Sequence, residues 1–257
     1  MTPLRTQGTL LAAPTSLLIS FPRPMQSLST AIWGGGYRSV LWALNQKLTA
    51  FYPREEDFPG GSVPAYLALE LQKLGCDPRM SCALLTSAKM EWHHHIVKED
   101  HGLIVEIVGT AGVEKTAVRA GEPAFYREEN HHFYPCGTIN LMVLINGHLP
   151  PGIMARALIT ITEGKTAALQ DLGIASVSTG RPATGTATDG ITLITDPAAP
   201  TYTDAGTFAK LGELLASAAY DAVTGCLVDF DRPWNRDPRL ATPKGVSVEE
   251  LKRTKHT

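Results

Sequence analysis

The sequence lacks the cysteine patterns of a zinc-binding or disulfide-stapled protein. Its 257 residues include 4 cysteines, Cys76, Cys82, Cys136 and Cys226, and no two of them form a Cys-x-x-Cys pair. Scattered cysteines in a chain of this length are typical of small buried hydrophobes in a reducing compartment. We therefore predict a cytoplasmic protein.

Long apolar runs and an excess of one charge are also missing. The run LLAAPTSLLISF at 10–21 is interrupted by Pro14, and no run reaches the roughly 18–20 residues that a membrane-spanning helix needs. The 23 basic and 25 acidic residues give a net charge of −2, which provides no electrostatic attraction to nucleic acid or to an anionic membrane. We expect neither partner.

Catalytic signatures are scarce too. No Gly-x-Ser-x-Gly nucleophile elbow occurs. Gly164-Lys165-Thr166 ends like a phosphate-binding loop, but that loop needs a second glycine five positions before Gly164, where the chain has Ile159. The sequence thus disfavours a nucleotide site. Hydrolysis would need a hydroxyl such as that of Thr138, or a water activated by a carboxylate.

The first half of the chain has the rhythm of β-strands. Short runs rich in leucine and β-branched residues are separated by prolines, among them Pro22 and Pro24. One exception is VPAYLALELQKLG, whose leucines recur at helical spacing until Gly75 ends the pattern. Two extended runs joined through residues 99–102 predict a hairpin.

The second half alternates strands with longer helices. Residues 137–147 form a nearly continuous apolar run, which predicts a strand buried on both faces. Residues 206–225 predict a long amphipathic helix. Residues 150–173 have helical character, but Thr160 and Glu163 match a capping box that would start a second helix near Ile161.

Together these patterns predict an α+β fold with a mixed β-sheet and long helices packed on it. We predict one domain over residues 1–228. Residues 229–257 are charged and rich in proline, which predicts a polar C-terminal extension.

A threonine-rich segment, TGRPATGTATDG at 179–190, is one candidate binding site. If residues 184–188 are extended, Thr184, Thr186 and Thr188 all point the same way and form a row of hydroxyls. Asp189 would then lie on the opposite side or in a turn. The alternative is an edge strand whose threonines face water, since threonine has a high strand propensity.

Two acid–lysine pairs are further candidates. Glu163 and Lys165 flank Gly164, whose position inside a helix is easier to explain if something approaches the backbone closely. Lys210 and Glu213 lie three positions apart, so on a helix they can act together or simply form a surface ion pair.

The histidines raise the question of a metal site. On a strand, His93 and His95 would share one face and His94 the other, and His131 and His132 form a second group. A metal site also needs a third ligand and a second shell that holds it. We therefore predict no metal site, with solvated or hydrogen-bonded histidines.

Several long stretches of the chain resemble the sequence blocks of one known family. They are LSTAIWGGGY, VPAYLALELQKLG, TAGVEKTAVRAGEP, GTINLMVLIN, MARALITITEGKTAALQDLGI, TGRPATGTATDGI and AKLGELLASAAYDAV. They run in unbroken order from about residue 26 to 226, and the resemblance is strongest after Gly137. The family that they resemble is that of the adenosylcobinamide amidohydrolases of corrinoid salvage. The block TEGKTAAL is similar to the family's Thr-Glu-Ala-Lys-Thr-Ala-Ala-Leu, with Gly164 in place of alanine.

The resemblance implies an enzyme that cleaves the amide between the corrin side chain and aminopropanol, releasing cobyric acid for cobamide assembly. The cobalt then arrives within the corrinoid substrate, and the protein needs no cofactor of its own. A corrin is a broad apolar disc rimmed with amides, so neutral groups such as Asn140 and the threonines suit its recognition.

On this resemblance we predict roles for the candidate residues. Glu163 is the predicted base for water, with Lys165 or Lys210 stabilising the oxyanion or orienting Glu163. Thr138 as a covalent nucleophile is the competing mechanism. The predicted substrate-binding residues are Asn140, Thr184, Thr186, Asp189, Lys210 and Glu213.

The chain also departs from the family pattern. Phe208 and Ala209 stand where the family has His-Thr, Arg156 stands where it often has asparagine, and Ala187 interrupts its Gly-Thr-Gly-Thr-Asp. Lys115 and Thr116 replace an expected Gly-Asn. Two alternatives to the hydrolase thus stay open, a corrinoid-binding protein of the same fold and an amidase for another substrate.

Overall fold

The computed structural model describes residues 1–113, 116–123 and 138–228. Within these ranges the chain forms eleven strands and three α-helices. The strands are β1 (Thr2–Pro3), β2 (Thr9–Ala13), β3 (Ser16–Ser29), β4 (Gly36–Lys47), β5 (Ser81–Thr86), β6 (His94–Asp100), β7 (Leu103–Ala111), β8 (Ala117–Val118), β9 (Ile139–Ile145), β10 (Gly185–Thr186) and β11 (Gly190–Thr195). The helices are α1 (Val63–Lys73), α2 (Pro151–Asp171) and α3 (Lys210–Val228).

Nine of these strands form one mixed sheet. Its order is β1-β2-β3-β11-β9-β7-β6, and β4 pairs with both β3 and β5. Strands β9 and β11 are parallel, as are β4 and β5, whereas the other pairs are antiparallel. The predicted α+β fold with a mixed sheet and packed helices is confirmed.

Strand β3 bends the sheet. Its first part pairs with β2 and its last part with β11, while the register to β4 shifts between Ser20 and Met25. Pro22 and Pro24 lie in this irregular stretch. Proline has no N–H for a ladder bond and is tolerated at bulges, where strands bend and twist more strongly. The two short strands expected here are therefore one long bent strand.

The bend curls the sheet around an internal core. Buried side chains from both parts of the sheet meet there, including Ile19, Ala43, Leu84, Val108 and Met142. Helix α1 covers the outside of β4 and β5 through a second apolar cluster. Helices α2 and α3 cover the opposite face of β7, β9 and β11 through the largest cluster.

Helix α2 is one continuous helix, so the predicted break near Ile161 is wrong. The Thr160 hydroxyl does not cap a new helix but donates to the carbonyl oxygen of Ala205 at 2.7 Å. Gly164 lies against α3, where an added Cβ would be 2.3 Å from the Ala216 carbonyl oxygen. The glycine therefore permits close helix packing, which is the close backbone approach that the sequence suggested.

Helix α3 has the length and apolar composition of a membrane span, and 61% of that stretch is buried inside the protein. The predicted strand over 137–147 and the hairpin through 99–102 are confirmed as β9 and the β6–β7 turn. The extension predicted for 229–257 lies outside the described residues.

Candidate functional site

Polar side chains gather where β9 and β11 begin. The two strands are parallel, and Asn140 pairs with Gly190 in their register. Thr138 directly precedes β9 and Asp189 directly precedes β11. Because parallel strands start at the same edge of a sheet, the register alone brings these residues together.

A buried ion pair forms the centre of this cluster. Nζ of Lys165, on α2, donates to Oδ2 of Asp189. Their side chains are 7% and 14% exposed, so the pair is largely shielded from water. The same carboxylate accepts from the Thr186 backbone N–H at 3.1 Å, from the Thr186 hydroxyl at 2.5 Å and from the Ile139 N–H at 3.1 Å. These bonds fix the carboxylate and compensate for burial of its charge.

A glycine makes room for this pair. A Cβ on Gly185 would be 2.4 Å from Oδ2 of Asp189 and 2.7 Å from Nζ of Lys165. Any side chain at position 185 would therefore push the two charged groups apart.

Two threonine hydroxyls lie beside the ion pair. The buried Thr138 hydroxyl donates to the Thr188 carbonyl oxygen at 2.6 Å and accepts from the Thr188 hydroxyl at 2.9 Å. Thr188 itself is exposed. A carbonyl oxygen cannot take up a proton at neutral pH, so this arrangement positions the Thr138 hydroxyl without activating it as a nucleophile.

Asn140 connects the cluster to the inside of the curled sheet. Its Nδ2 donates to Oδ1 of Asn45 at 2.8 Å and to the Leu85 carbonyl oxygen at 3.0 Å. Asn45 in turn donates to the Thr110 hydroxyl at 2.9 Å. Both partners of Nδ2 are acceptors, which fixes the orientation of the amide. Oδ1 of Asn140 is buried and has no hydrogen-bond partner among the described residues.

The threonine row differs from the expected geometry. Only Gly185–Thr186 is a strand, and a turn follows at 187–188, because the Asp189 carboxylate folds back onto Thr186. Thr184 accepts from the Ala120 N–H at 2.9 Å. The three hydroxyls thus have separate partners and do not form one uniform row.

Glu163 is not part of this cluster. It is exposed, and among the described residues it has no ion pair and no side-chain hydrogen bond. Two positions along a helix correspond to a rotation of about 200°, so Glu163 and Lys165 point to different sides of α2.

Lys210 and Glu213 lie at the other end of the sheet. They form an exposed ion pair with each other at 2.6 Å. That hydrogen bond raises the pKa of Lys210, with a smaller contribution from the Asp100 carboxylate at the β6–β7 turn. From this turn, β7 runs for about 27 Å to the edge that carries Asn140. Lys210 and Glu213, which the sequence predicted as substrate-binding residues, therefore lie far from Lys165.

The described residues contain no group of three or more histidine, cysteine or carboxylate side chains that could hold a metal ion. His95 has a carboxylate partner instead, since its Nε2 lies 2.6 Å from Oε1 of the buried Glu106. His131 and His132 lie outside the described residues, so the absence of a metal site at these two histidines stays a prediction.

Sequence reasoning missed Asn45 and Thr110. Both lie on strands distant in sequence from Asn140, and no motif surrounds them. Thr110 faces Asn140 through the antiparallel register of β7 and β9, whereas the curl of the sheet brings Asn45 of β4 into contact with Asn140.

By its fold and its polar cluster, the chain is an α+β protein with a buried lysine–aspartate pair at one edge of its sheet. Hydroxyl and amide groups surround this pair. The family model for adenosylcobinamide amidohydrolase (CbiZ) matches residues 4–232. The chain belongs to the adenosylcobinamide amidohydrolase family.

The chain is also similar to a curated protein. The chain is 32% identical over 235 residues to the uncharacterized protein MJ1613 of Methanocaldococcus jannaschii, a match that covers 84% of this chain and 87% of that protein. Among solved structures, the PH0078 protein of Pyrococcus horikoshii OT3 is 11% identical, with a TM-score of 0.45 over 89% of this chain and 80% of that one. This second likeness is too weak to add to the assignment.

Proposed function

We propose that the protein hydrolyses the amide that joins the corrin side chain of adenosylcobinamide to aminopropanol. The products are cobyric acid and aminopropanol. In this proposal the cobalt belongs to the substrate, and the protein contributes side chains and no resident metal. The setting we propose is corrinoid salvage in the cytoplasm, with a small-molecule substrate and neither nucleic acid nor membrane as partner.

One observation carries the proposal beyond family membership: the Lys165–Asp189 pair is buried among hydroxyl and amide groups at one edge of the sheet. Oδ1 of Asn140 is a buried acceptor without a donor among the described residues. Leaving such a group unpaired costs about 1–3 kcal/mol. The N–H of a corrin amide, reaching Oδ1 as residues around it shift, would remove that penalty.

The reaction adds one water across the amide bond. The water oxygen bonds to the carbonyl carbon, the carbonyl oxygen becomes an oxyanion, and the carbon–nitrogen bond then breaks as the amine takes up a proton. We assign stabilisation of the oxyanion to the Lys165 ammonium group, because a cation held in a mostly water-free site acts strongly on developing negative charge. Asp189 orients that ammonium group.

A direct attack by water fits the geometry better than attack by Thr138. The Thr138 hydroxyl donates to a backbone carbonyl, and no described base lies in hydrogen-bond contact with it. Covalent catalysis requires a base next to the nucleophile. Thr138 is therefore a positioning residue in this proposal.

Glu163 stays a prediction as the base for water, although it is exposed and points to a different side of α2 from Lys165. The variant Glu163→Gln keeps the shape of the side chain and removes its basicity. Loss of cobyric acid production in this variant supports the role, and full production removes Glu163 from the mechanism.

The decisive experiment mixes the purified protein with adenosylcobinamide and follows cobyric acid by chromatography. We expect product with the wild type, and a fall of at least 100-fold with Lys165→Met, since the loss of one oxyanion-stabilising group has about that effect. Lys73→Met is the control for the same substitution away from the site, because Lys73 forms an ion pair with Glu70 on an exposed face of α1. We expect the control to retain wild-type activity.

The same experiment decides between the rival functions. A shift of the corrin spectrum without cobyric acid would identify a binding protein, and no shift at all would favour an amidase for another substrate. The main departure from the family pattern is Phe208, which is 82% exposed and lies close to Lys210, at the start of α3. That position is remote from the Lys165–Asp189 pair, so the departure leaves the proposed centre intact.

A further inference from the structure

His93 has a ring nitrogen, Nε2, whose lone pair is available to bind a metal. Nδ1 of His93 lies 2.8 Å from the Met90 carbonyl oxygen. A carbonyl oxygen only accepts hydrogen bonds, so Nδ1 carries the proton and the neutral ring has its lone pair at Nε2. No described residue hydrogen-bonds to Nε2, and the side chain is half-buried. Histidines that bind metals usually donate their other N–H in this way, which fixes both tautomer and orientation.

The support of this histidine is rigid. Met90 is 1% exposed and packs inside the curled sheet with Leu84 and Val108. Its carbonyl oxygen also accepts from the backbone N–H of His93 at 3.0 Å. Two hydrogen bonds to one anchored oxygen hold the ring in place.

Each of the other described histidines either has side-chain contacts of its own or lies far from the proposed site. His95 is bonded to Glu106 through Nε2. His94 packs tightly against α3, where a Cβ on Gly225 would be 2.3 Å from its Nδ1. His101 lies in the β6–β7 turn at the far end of the sheet, and His148, beyond the far end of β9, contacts Thr201.

His93 lies at the same edge of the sheet as the proposed site. It directly precedes β6, where His94 pairs with Gly109, and Gly109 pairs with Leu141 of β9. His93 is thus level with Asn140 and two strand spacings away, or about 10 Å.

A cobinamide carries two groups that could contact these two positions. Its cobalt is at the centre of the ring, and the amide to be cleaved is on a three-carbon side chain that starts at the ring edge. Both the side chain and the axial position left open by the missing nucleotide base belong to the lower face of the ring. A substrate bound with that face toward the sheet edge would present the cobalt to His93 and the amide toward Asn140, at the edge where the Lys165–Asp189 pair also lies.

We propose that Nε2 of His93 coordinates the cobalt of the bound corrinoid at its lower axial position. This inference rests on the proposed function, because the cobalt arrives only with that substrate. One cobalt–nitrogen bond forms as the bond from cobalt to an axial water breaks, and the oxidation state of the metal does not change. Imidazole is a common ligand for such metals. The bond would fix the position of the ring, and with it the position of the amide.

The test is the electron paramagnetic resonance spectrum of cob(II)inamide mixed with the full-length protein. An axial nitrogen-14 ligand splits the cobalt lines into triplets, and an oxygen ligand does not. We expect triplets with the wild type and doublets when its histidines carry nitrogen-15. We expect His93→Ala to lose the splitting and His148→Ala, the matched control, to keep it.

The results separate this inference from the proposed function. Retention of cob(II)inamide through gel filtration without triplets would overturn the ligand assignment alone, as would triplets that persist in His93→Ala. Failure of the wild type to retain any cobinamide would overturn both. If His93→Ala does not fold, His93→Gln removes the same imidazole with a smaller change in polarity, and it should likewise lose the splitting; triplets that persist in His93→Gln would overturn the assignment.

Discussion

Lys165 in the middle of α2 and Asp189 before β11 form a buried ion pair, although 23 residues separate them in the sequence. The carboxylate also accepts three hydrogen bonds from Thr186 and Ile139. This network connects the helical layer to the sheet edge at the proposed site. Substitution of either charged residue should therefore change the free energy of unfolding.

Asp189→Asn should destabilise the protein because it leaves the Lys165 charge buried without a counter-charge. Breaking a buried ion pair in this way costs about 3–5 kcal/mol. The double variant Lys165→Met/Asp189→Asn should be less destabilised than the sum of the two single variants. Urea unfolding of all four proteins measures this coupling, and strictly additive changes would show that the pair is not coupled.

Gly164→Ala should destabilise the protein by about 1–3 kcal/mol, even though alanine is the better helix former. The new Cβ would lie 2.3 Å from the Ala216 carbonyl oxygen and force α2 away from α3. Gly152→Ala is the control, since nothing lies within 4 Å of a Cβ at that position in the first turn of α2. Thermal unfolding should show Gly152→Ala to be neutral or stabilising. Equal effects of the two substitutions would contradict the packing argument.

Glu106 should make the stability of the protein depend on pH. Burial acts to raise the pKa of Glu106, but hydrogen bonds from His95 and Thr6 outweigh it and hold the pKa below its ordinary value. A lowered pKa in the folded state stabilises the protein above the unfolded-state pKa of about 4.3, and this contribution is lost as the pH falls through the folded-state value.

The variant Glu106→Gln tests this dependence. We expect it to be less stable at pH 7 by about 1–3 kcal/mol, because the amide cannot accept all the bonds that the carboxylate accepts. Its unfolding free energy should then fall less than that of the wild type between about pH 5 and pH 3. Glu99→Gln, which removes an exposed pair with Arg5, is the control that should follow the wild type. An unchanged pH slope in Glu106→Gln would rule out this role.

Thr138→Val should slow cobyric acid release by about tenfold without abolishing it. The substitution removes one hydrogen bond to the Thr188 carbonyl and one from its hydroxyl, and a net loss of about 1.4 kcal/mol corresponds to that factor. Thr138→Ser keeps the hydroxyl and should retain nearly full activity. Complete loss in Thr138→Val, together with a covalent adduct on the wild type in mass spectrometry, would instead make Thr138 the nucleophile.

Much of the fold follows from local patterns. Strand β9, the β6–β7 hairpin and helix α3 were predicted because an apolar run, a turn signal and a helical periodicity each depend on neighbouring residues. The same reasoning failed where distant contacts decided the outcome. It divided β3 at its prolines because pairing with β4 and β11 is non-local, and it divided α2 at Thr160 because the partner of that hydroxyl is Ala205.

The candidate site likewise combines residues that the sequence selected correctly with residues that the fold places elsewhere. The residue types and the family resemblance selected Lys165, Asp189, Thr138 and Asn140 from the sequence. They also selected Lys210, which the fold places at the opposite end of the sheet.

The sequence by itself determined the family, the alternation of strands and helices and the kinds of polar group available for chemistry. Only the tertiary structure decided which of those groups meet. The parallel register of β9 and β11 brings Thr138, Asn140 and Asp189 to one edge, and the close packing of α2 adds Lys165. Pairing between distant strands depends on the whole folded chain, so no local pattern could have separated Lys165 from Lys210.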